Sequence, residues 1–263
     1  MNTTPQEKWN RKHPETIKKA SARWRKKHPQ KVKAANRSRD RRQQRYGLSQ
    51  SEFDAMLKKQ HNRCLGCQKE FSGRICVDHN HETKIVRGLL CSECNIALGL
   101  VKEDIGTLRQ LIAYLDYDRT KTNIYIIGAL KNSRIPEIGN RLRSEGYDVM
   151  DEWFTPGAEA DINWQKYEKL RGRTYKEALR GRAATNIFLF DKAYINLADI
   201  VIMVMPAGKS AMIELGYAKG RGKKAYILLD GMEPEKYDVM PNFADQIFTT
   251  EDELIAELRR ING

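Results

Sequence analysis

Four of the chain's five cysteines stand in two Cys-x-x-Cys pairs, Cys64-Leu-Gly-Cys67 and Cys91-Ser-Glu-Cys94, with 23 residues between them. That spacing suits one tetrahedral zinc ion gripped by two tight turns. Disulfides closed within the pairs would leave the segment between them without a staple, and thiolates of this kind belong to a reducing compartment. With four protein ligands the ion has no open position, so the role expected of it is structural. Cys76 is left over as a strand residue.

Between the pairs runs Val77-Asp78-His79-Asn80-His81-Glu82-Thr83-Lys84-Ile85-Val86-Arg87-Gly88-Leu89-Leu90, two short apolar stretches around a polar turn, which predicts a β-hairpin. Asn95, directly after the last cysteine, is expected to open a helix that the metal holds near Asp78 and His79. These residue types suit phosphodiester hydrolysis. An imidazole can take a proton from water, while a carboxylate and an amide oxygen hold a hard divalent ion. Ahead of the first pair, Ser49-Gln-Ser-Glu52 has capping-box spacing, with Phe53, Met56 and Leu57 at helical intervals after it. His61 falls on that helix and has no assigned role. Beyond the second pair, Ile105, Leu108, Leu111, Ile112 and Leu115 predict an amphipathic helix that closes the domain, and Asp116 to Thr122 reads as a polar linker.

The run Asp-His-Asn-His-x-Thr-x-x-Val-Arg-Gly-Leu-Leu-Cys-x-x-Cys-Asn-x-x-Leu-Gly resembles the recombination endonuclease VII family of His-Me finger (ββα-metal, HNH-like) nucleases over about seventy residues. The resemblance implies His79 as general base, Asp78 and Asn95 as ligands of magnesium or manganese, and His81 as an assistant at the phosphate. It also implies Cys64, Cys67, Cys91 and Cys94 as zinc ligands. Two positions depart from the pattern: Leu98 stands where some members carry an acidic residue, and Lys84 stands where the turn usually has Gly. A different class of function keeps this unit as a zinc module that binds DNA without cutting it.

The formal net charge of +13 is concentrated at one end. Residues 1–45 hold 16 Lys and Arg against Glu7, Glu15 and Asp40, and the remainder is balanced, 31 basic against 31 acidic. Within this arm Trp9-Asn-Arg-Lys-His13-Pro14 recurs fifteen residues later as Trp24-Arg-Lys-Lys-His28-Pro29. Short basic helices broken by His-Pro turns are expected, either as a solvated charged tail or as an arm whose Lys and Arg displace counterions from phosphates, with Trp9 and Trp24 free to pack or stack. Such contacts give affinity without reading bases.

From residue 122 apolar strands and helices alternate, which predicts a parallel α/β sheet. If its strand order is 2-1-3-4-5, a ligand crevice opens beyond Ile124 to Leu130 and Ile200 to Met205. Gly128, Asn132, Ser210 and Glu214 would face it, with Asp191 entering from the preceding helix. The small-residue turn at Gly208 aims backbone N–H groups at an anion. The segments Ile124-Tyr-Ile-Ile-Gly-Ala, Phe190-Asp191, Ala198-Asp199 and Ser210-x-x-x-Glu214-Leu-Gly resemble the nucleoside 2-deoxyribosyltransferase family and related deoxynucleotide N-hydrolases. That resemblance implies Glu214 as nucleophile on the anomeric carbon and Asp191 as the group that orients or protonates the leaving base. A nucleotide sensor that gates the nuclease is the competing reading.

The sequence thus predicts a multidomain α/β protein: a basic arm over 1–45, a zinc-stapled nuclease domain over 46–117, and a Rossmann/flavodoxin-like domain over 118–263. The functional reading is a DNA endonuclease with a second, nucleoside- or nucleotide-directed domain, in a phage or antiphage setting; the alternative makes the N-glycosidic activity primary. DNA and a nucleoside or nucleotide are the expected partners, with self-association open. The longest apolar stretch, Ile200 to Met205, falls far short of the ~20 residues that span a bilayer, so a soluble, cytoplasmic protein is expected.

Overall fold

The computed structural model describes residues 13–233 and 237–262. Trp9 and the opening of the first repeat lie outside the described residues. The chain divides after Glu103 into two compact units.

The first unit begins with two basic helices, α1 (Pro14–Lys27) and α2 (Pro29–Tyr46), each with Pro at its start and a histidine, His13 or His28, at the N-cap. Proline fits there because the first turn needs no N–H from it. α1 buries no side chain, so apolar burial does not hold it. Within it the Trp24 ring stacks on His28 at 4.8 Å. Gly47 ends α2 in the left-handed conformation, φ 63°. Helix α3 (Gln50–Lys59) starts on the expected capping box, Ser49 with Glu52. His61 lies past its end, in a left-handed turn with Asn62, and so is not a helical residue. Strands β1 (Ile75–His79) and β2 (Val86–Cys91) form the hairpin, and α4 (Ser92–Leu100) packs on both. The core beneath them is small: Leu48, Phe53, Val77 and Leu89.

The second unit carries a five-stranded, wholly parallel sheet. Its strands are β3 (Asn123–Ile127), β4 (Asp148–Met150), β5 (Ile200–Val204), β6 (Lys224–Leu228) and β7 (Gln246–Phe248), in spatial order β4-β3-β5-β6-β7. Counted within the unit that is 2-1-3-4-5. The central strands β3 and β5 are buried at every residue, which accounts for their unbroken apolar runs. Ile124, Ile126, Ile200 and Ile202 pack on one face with α6 (Arg134–Ser144) and the C-terminal helix, α11 (Glu251–Asn262). Tyr125, Ile127, Val201 and Met203 pack on the other. That second face is covered by α5 (Ile105–Asp116), α9 (Arg182–Leu197) and α10 (Lys209–Gly220). Helices α7 (Ala160–Leu170) and α8 (Tyr175–Leu179) precede α9.

The two compact units divide ahead of α5, whereas the expected zinc-bearing domain runs through it to residue 117. Helix α5 was assigned to the zinc-bearing domain, yet Ala113 is buried in the second unit, Gln110 donates to the Ala193 carbonyl, and Arg109 donates to Asn186 on α9. Of the expected stripe, Ile105, Leu111, Ile112 and Leu115 are exposed; α5 meets α9 instead through Arg109, Gln110 and Ala113. Nor is Asp116 to Thr122 a free linker. Tyr117 is buried against Tyr194, the Asp118 amide donates to Asp148, and Asn123 Nδ2 donates to the Asp118 carbonyl. A polar loop of seven residues reads as a linker by composition, but here it is the tight return from a covering helix to the first strand of the same layer. Among the described residues no helix is long and apolar enough to cross a membrane.

Candidate functional sites

The four paired cysteines converge so that their sulfur atoms all lie within 4.8 Å of one another, with Cys67 Sγ and Cys91 Sγ 3.9 Å apart. Zinc bound tetrahedrally at about 2.3 Å spaces its sulfurs by about 3.8 Å, so the group fits that ion. The first knuckle is built on Cys64, fully buried, whose sulfur accepts from the Gly66 and Cys91 amides at 3.3 Å. Cys91 is also the N-cap of α4, its sulfur accepting from the Cys94 amide. Burial pushes the Cys64 thiol up, but the backbone N–H groups aimed at it outweigh burial and bring its pKa down to about 6. Burial and the neighbouring thiols push Cys94 up to about 12. Gln60, which sequence reasoning missed, ties the knuckle to the hairpin: Nε2 donates to the Leu89 carbonyl and Oε1 accepts from the Leu89 amide. Gly88 lies opposite, where a Cβ would come 2.4 Å from Leu65 Cδ1 and displace the end of that half-exposed side chain.

Asp78 and His79 close β1, where the hairpin register slips: Asp78 opposes Gly88 and His79 opposes Val86, so Arg87 is the extra residue. Bulges of this kind re-aim side chains. Arg87 turns back on Asp78, Nε and Nη2 donating to its two carboxylate oxygens at 2.7 and 2.8 Å, while Nη1 donates to Glu103 Oε2 at 2.8 Å. The two carboxylates raise the Arg87 pKa, and Arg87 holds the Glu103 carboxyl below its ordinary value. The His79 ring lies 5.0 Å from that of His81, edge to face, and 5.0 Å from that of Tyr46 at the end of α2. His81 Nδ1 is 3.3 Å from Glu103 Oε1. Neither Glu103 nor Tyr46 was singled out in the sequence, because each is remote from the motif.

Asn95 does not open α4. It is the fourth residue of a helix that begins at Ser92, because Cys91 takes the cap. Its helix packs on β1 and β2, and its side chain has no hydrogen-bond partner among the described residues. Lys84, where a glycine was the usual residue, holds the left-handed conformation a glycine favours, φ 61°, in a turn pinned by Asn80 Oδ1 accepting from the Glu82 and Thr83 amides. A non-glycine residue there costs about 1 kcal/mol. Lys84→Gly is therefore expected to stabilise the hairpin by about 0.5–1 kcal/mol, read as slower amide exchange in β1 and β2 of the zinc-loaded protein.

In the second unit buried Tyr125 from β3 stands with half-buried Asp191 from α9 and Glu214 from α10. Tyr125 Oη donates to Asp191 Oδ1 at 3.1 Å. Burial raises the Asp191 carboxyl to about 6 even against that hydrogen bond. Burial and the negative charge of Asp191 raise Glu214 to about 7. Sequence reasoning named both acids and missed Tyr125, whose signal was a tyrosine inside an aliphatic strand, where its hydroxyl must find a partner. Asn132 is buried and spans the crevice between the β3 and β5 ends, donating to the Met205 carbonyl and accepting from the Arg134 amide. Gly128 has a packing role: a Cβ there would lie 2.5 Å from Ile135 Cδ1. Gly208 is the N-cap of α10 and Ser210 its second residue, both exposed.

Residues 39–117 match the model of the family described as recombination endonuclease VII. The Gene 59 protein of Mycobacterium phage D29 is 38% identical over 104 residues, covering 38% of this chain and 59% of that protein. The Gene 59 protein of Mycobacterium phage L5 is 40% identical over 73 residues, 27% of this chain and 44% of its own length. The chain therefore spans about half the length of these phage relatives. A solved structure of a CMP N-glycosidase, BcmB, from Clostridium botulinum covers 52% of this chain and 98% of its own at 18% identity, with a TM-score of 0.33, a likeness too slight to bear on fold or function. The family match shows that residues 39–117, hairpin and all four paired cysteines included, are similar to the recombination endonuclease VII family.

Proposed function

We propose that the first unit is a metal-dependent DNA endonuclease with a structural zinc ion. The observation that carries this reading is the grouping of Asp78, His79 and His81 on one bulged hairpin end, locked to α4 by the four cysteines. His79 takes the proton from the attacking water, and His81 meets the phosphate. Asp78 and Asn95 offer the carboxylate and amide oxygens that suit magnesium or manganese, and each Asp78 oxygen keeps a lone pair beyond its bond from Arg87. The bound ion would stabilise charge on the phosphate and the leaving oxygen. Cys91 caps α4, and zinc held by the four cysteines would anchor that helix start and with it Asn95. The Lys and Arg of α1 and α2 would hold the DNA backbone and make binding fall steeply with salt.

The test is cleavage of linear, nicked and four-way-junction DNA by wild type and His79→Ala, with and without magnesium, at equal zinc content. Magnesium-dependent cutting by the wild type, slowed about 10²–10⁴-fold in the variant, is expected. Binding without cutting by the wild type would reduce the unit to a zinc-dependent DNA-binding module.

A second reading belongs to the other unit and rests on the Tyr125–Asp191–Glu214 group. Two half-buried carboxyls from neighbouring helices, both raised above their ordinary values and one held by the Tyr125 hydroxyl, suit a pair working on one bond. We propose a nucleoside or nucleotide as ligand, with Glu214 attacking the anomeric carbon and Asp191 protonating the leaving base. Release of free base, lost in Glu214→Gln, is the expected result; binding without turnover would make the unit a sensor.

A further inference from the structure

Glu103 stands outside every motif of the chain, yet two features of its backbone and side chain single it out. After α4 ends, Lys102 and Glu103 both adopt the left-handed conformation, φ 54° and 58°, with the Lys102 amide donating to Gly99 and the Glu103 amide to Leu98. Neither is a glycine. Two successive residues of this kind cost about 1 kcal/mol or more each and persist only where the surroundings hold them. What the double turn achieves is to fold the chain back on the hairpin, so that the Glu103 carboxylate bridges two groups. Oε2 accepts from Arg87 Nη1 at 2.8 Å, and Oε1 lies 3.3 Å from His81 Nδ1.

The bridge is directional. The Glu103 side chain is 21% exposed, whereas that of His81 is 65% exposed. Among the described residues the imidazole's other contact is an edge approach to the His79 ring. At 3.3 Å a carboxylate beside Nδ1 favours the tautomer with hydrogen on Nδ1, which leaves the lone pair on Nε2. Arg87 keeps Glu103 in place from the other side while clamping Asp78 with its remaining nitrogens. One line of contacts thus joins His81, Glu103, Arg87 and Asp78.

We propose that Glu103 is a positioning residue of the nuclease site, holding His81 by Nδ1 so that Nε2 is presented to the scissile phosphate. This rests on the nuclease reading above, and the experiment separates the two. The ring nitrogens of His81 are observed by long-range ¹H–¹⁵N correlation in the full-length, zinc-loaded wild type, Glu103→Ala and Glu103→Gln, and plasmid cleavage with magnesium is measured on the same samples. The Nδ1–H tautomer is expected in wild type and in Glu103→Gln, whose amide oxygen still accepts, and its loss in Glu103→Ala. Loss of the orienting group is expected to lower kcat about 10–100-fold in Glu103→Ala with KM and zinc content held, and Glu103→Gln should fall between it and wild type. An unchanged tautomer in Glu103→Ala overturns the proposal, as does a changed tautomer with unchanged kcat. If the wild type cuts no DNA the nuclease reading falls on its own, and the tautomer still decides whether Glu103 holds His81.

Discussion

Stripping zinc from the protein is expected to unfold the first unit and leave the second intact. Among the described residues the buried core beneath the hairpin is four apolar side chains with a partly buried rim, and α1 adds no buried residue to it. Units this small rarely hold themselves together by apolar burial alone, and a structural zinc contributes about 10–16 kcal/mol of apparent binding energy that is also folding energy. The four cysteines join the knuckle before the hairpin to the start of α4, so each loses its anchor when the ion leaves. Cys91→Ser removes a ligand but leaves a hydroxyl able to cap α4, so its effect reports on the metal alone. Amide exchange is the measurement: after chelation, or in Cys91→Ser, protection across β1, β2 and α4 should collapse while that across β3, β5 and β6 persists. Protection of the hairpin without metal would show that the cysteines are not its staple. Acid should act in the same direction as chelation, because binding requires thiolates and protonation competes with the ion.

The same cysteines explain why so much of the first unit was legible in the sequence. Two Cys-x-x-Cys pairs specify a close approach across 23 residues, and the polar turn between apolar runs specifies the hairpin that makes it possible. Capping chemistry placed α3 on Ser49, and the unbroken apolar runs of β3 and β5 announced a buried parallel sheet. The pattern could not say which surface an amphipathic helix covers. Most of the α5 stripe is exposed, Ile105, Leu111, Ile112 and Leu115 included, and the helix meets α9 through Arg109, Gln110 and Ala113. Contacts made through long side chains were equally invisible. Arg87 lies inside the motif, but that it clamps Asp78 follows from a one-residue slip in register, and Glu103 reaches His81 only because two residues turn left-handed. Asn95 shows the limit at finer scale: its helix was expected, but Cys91 took the cap and moved the start by three residues.

Replacing Glu214 with glutamine should stabilise the second unit at pH 8 and leave it unchanged at pH 4. Glu214 sits where burial and the Asp191 charge raise its pKa from 4.5 to about 7. The folded protein therefore holds a proton that the unfolded chain releases between those two values. Folding stability falls as pH rises through that window, and above it the ionised, buried carboxylate carries the full penalty. Below pH 4.5 the carboxyl is protonated in both states and the penalty is absent. Glutamine keeps the shape without the charge, so it removes a cost that exists only at higher pH. At 1.36 kcal/mol per unit, less an allowance for water at this partly open site, the gain is about 1–2 kcal/mol, or roughly 3–6 °C in the melting temperature of the unit. Asp191→Asn should act likewise over a lower window, since its carboxyl is raised only to about 6. The double variant should gain less than the sum, because each substitution also relieves the repulsion felt by the other. Exposed Glu159→Gln serves as the control. A gain in Glu214→Gln that is equal at both pH values, or absent at both, would mean that the carboxyl is ordinary and that the pair has no poised acid. A gain confined to high pH, together with loss of base release, would mean that the chain retains a destabilising pair for its chemistry, the trade of stability against activity expected of a working site.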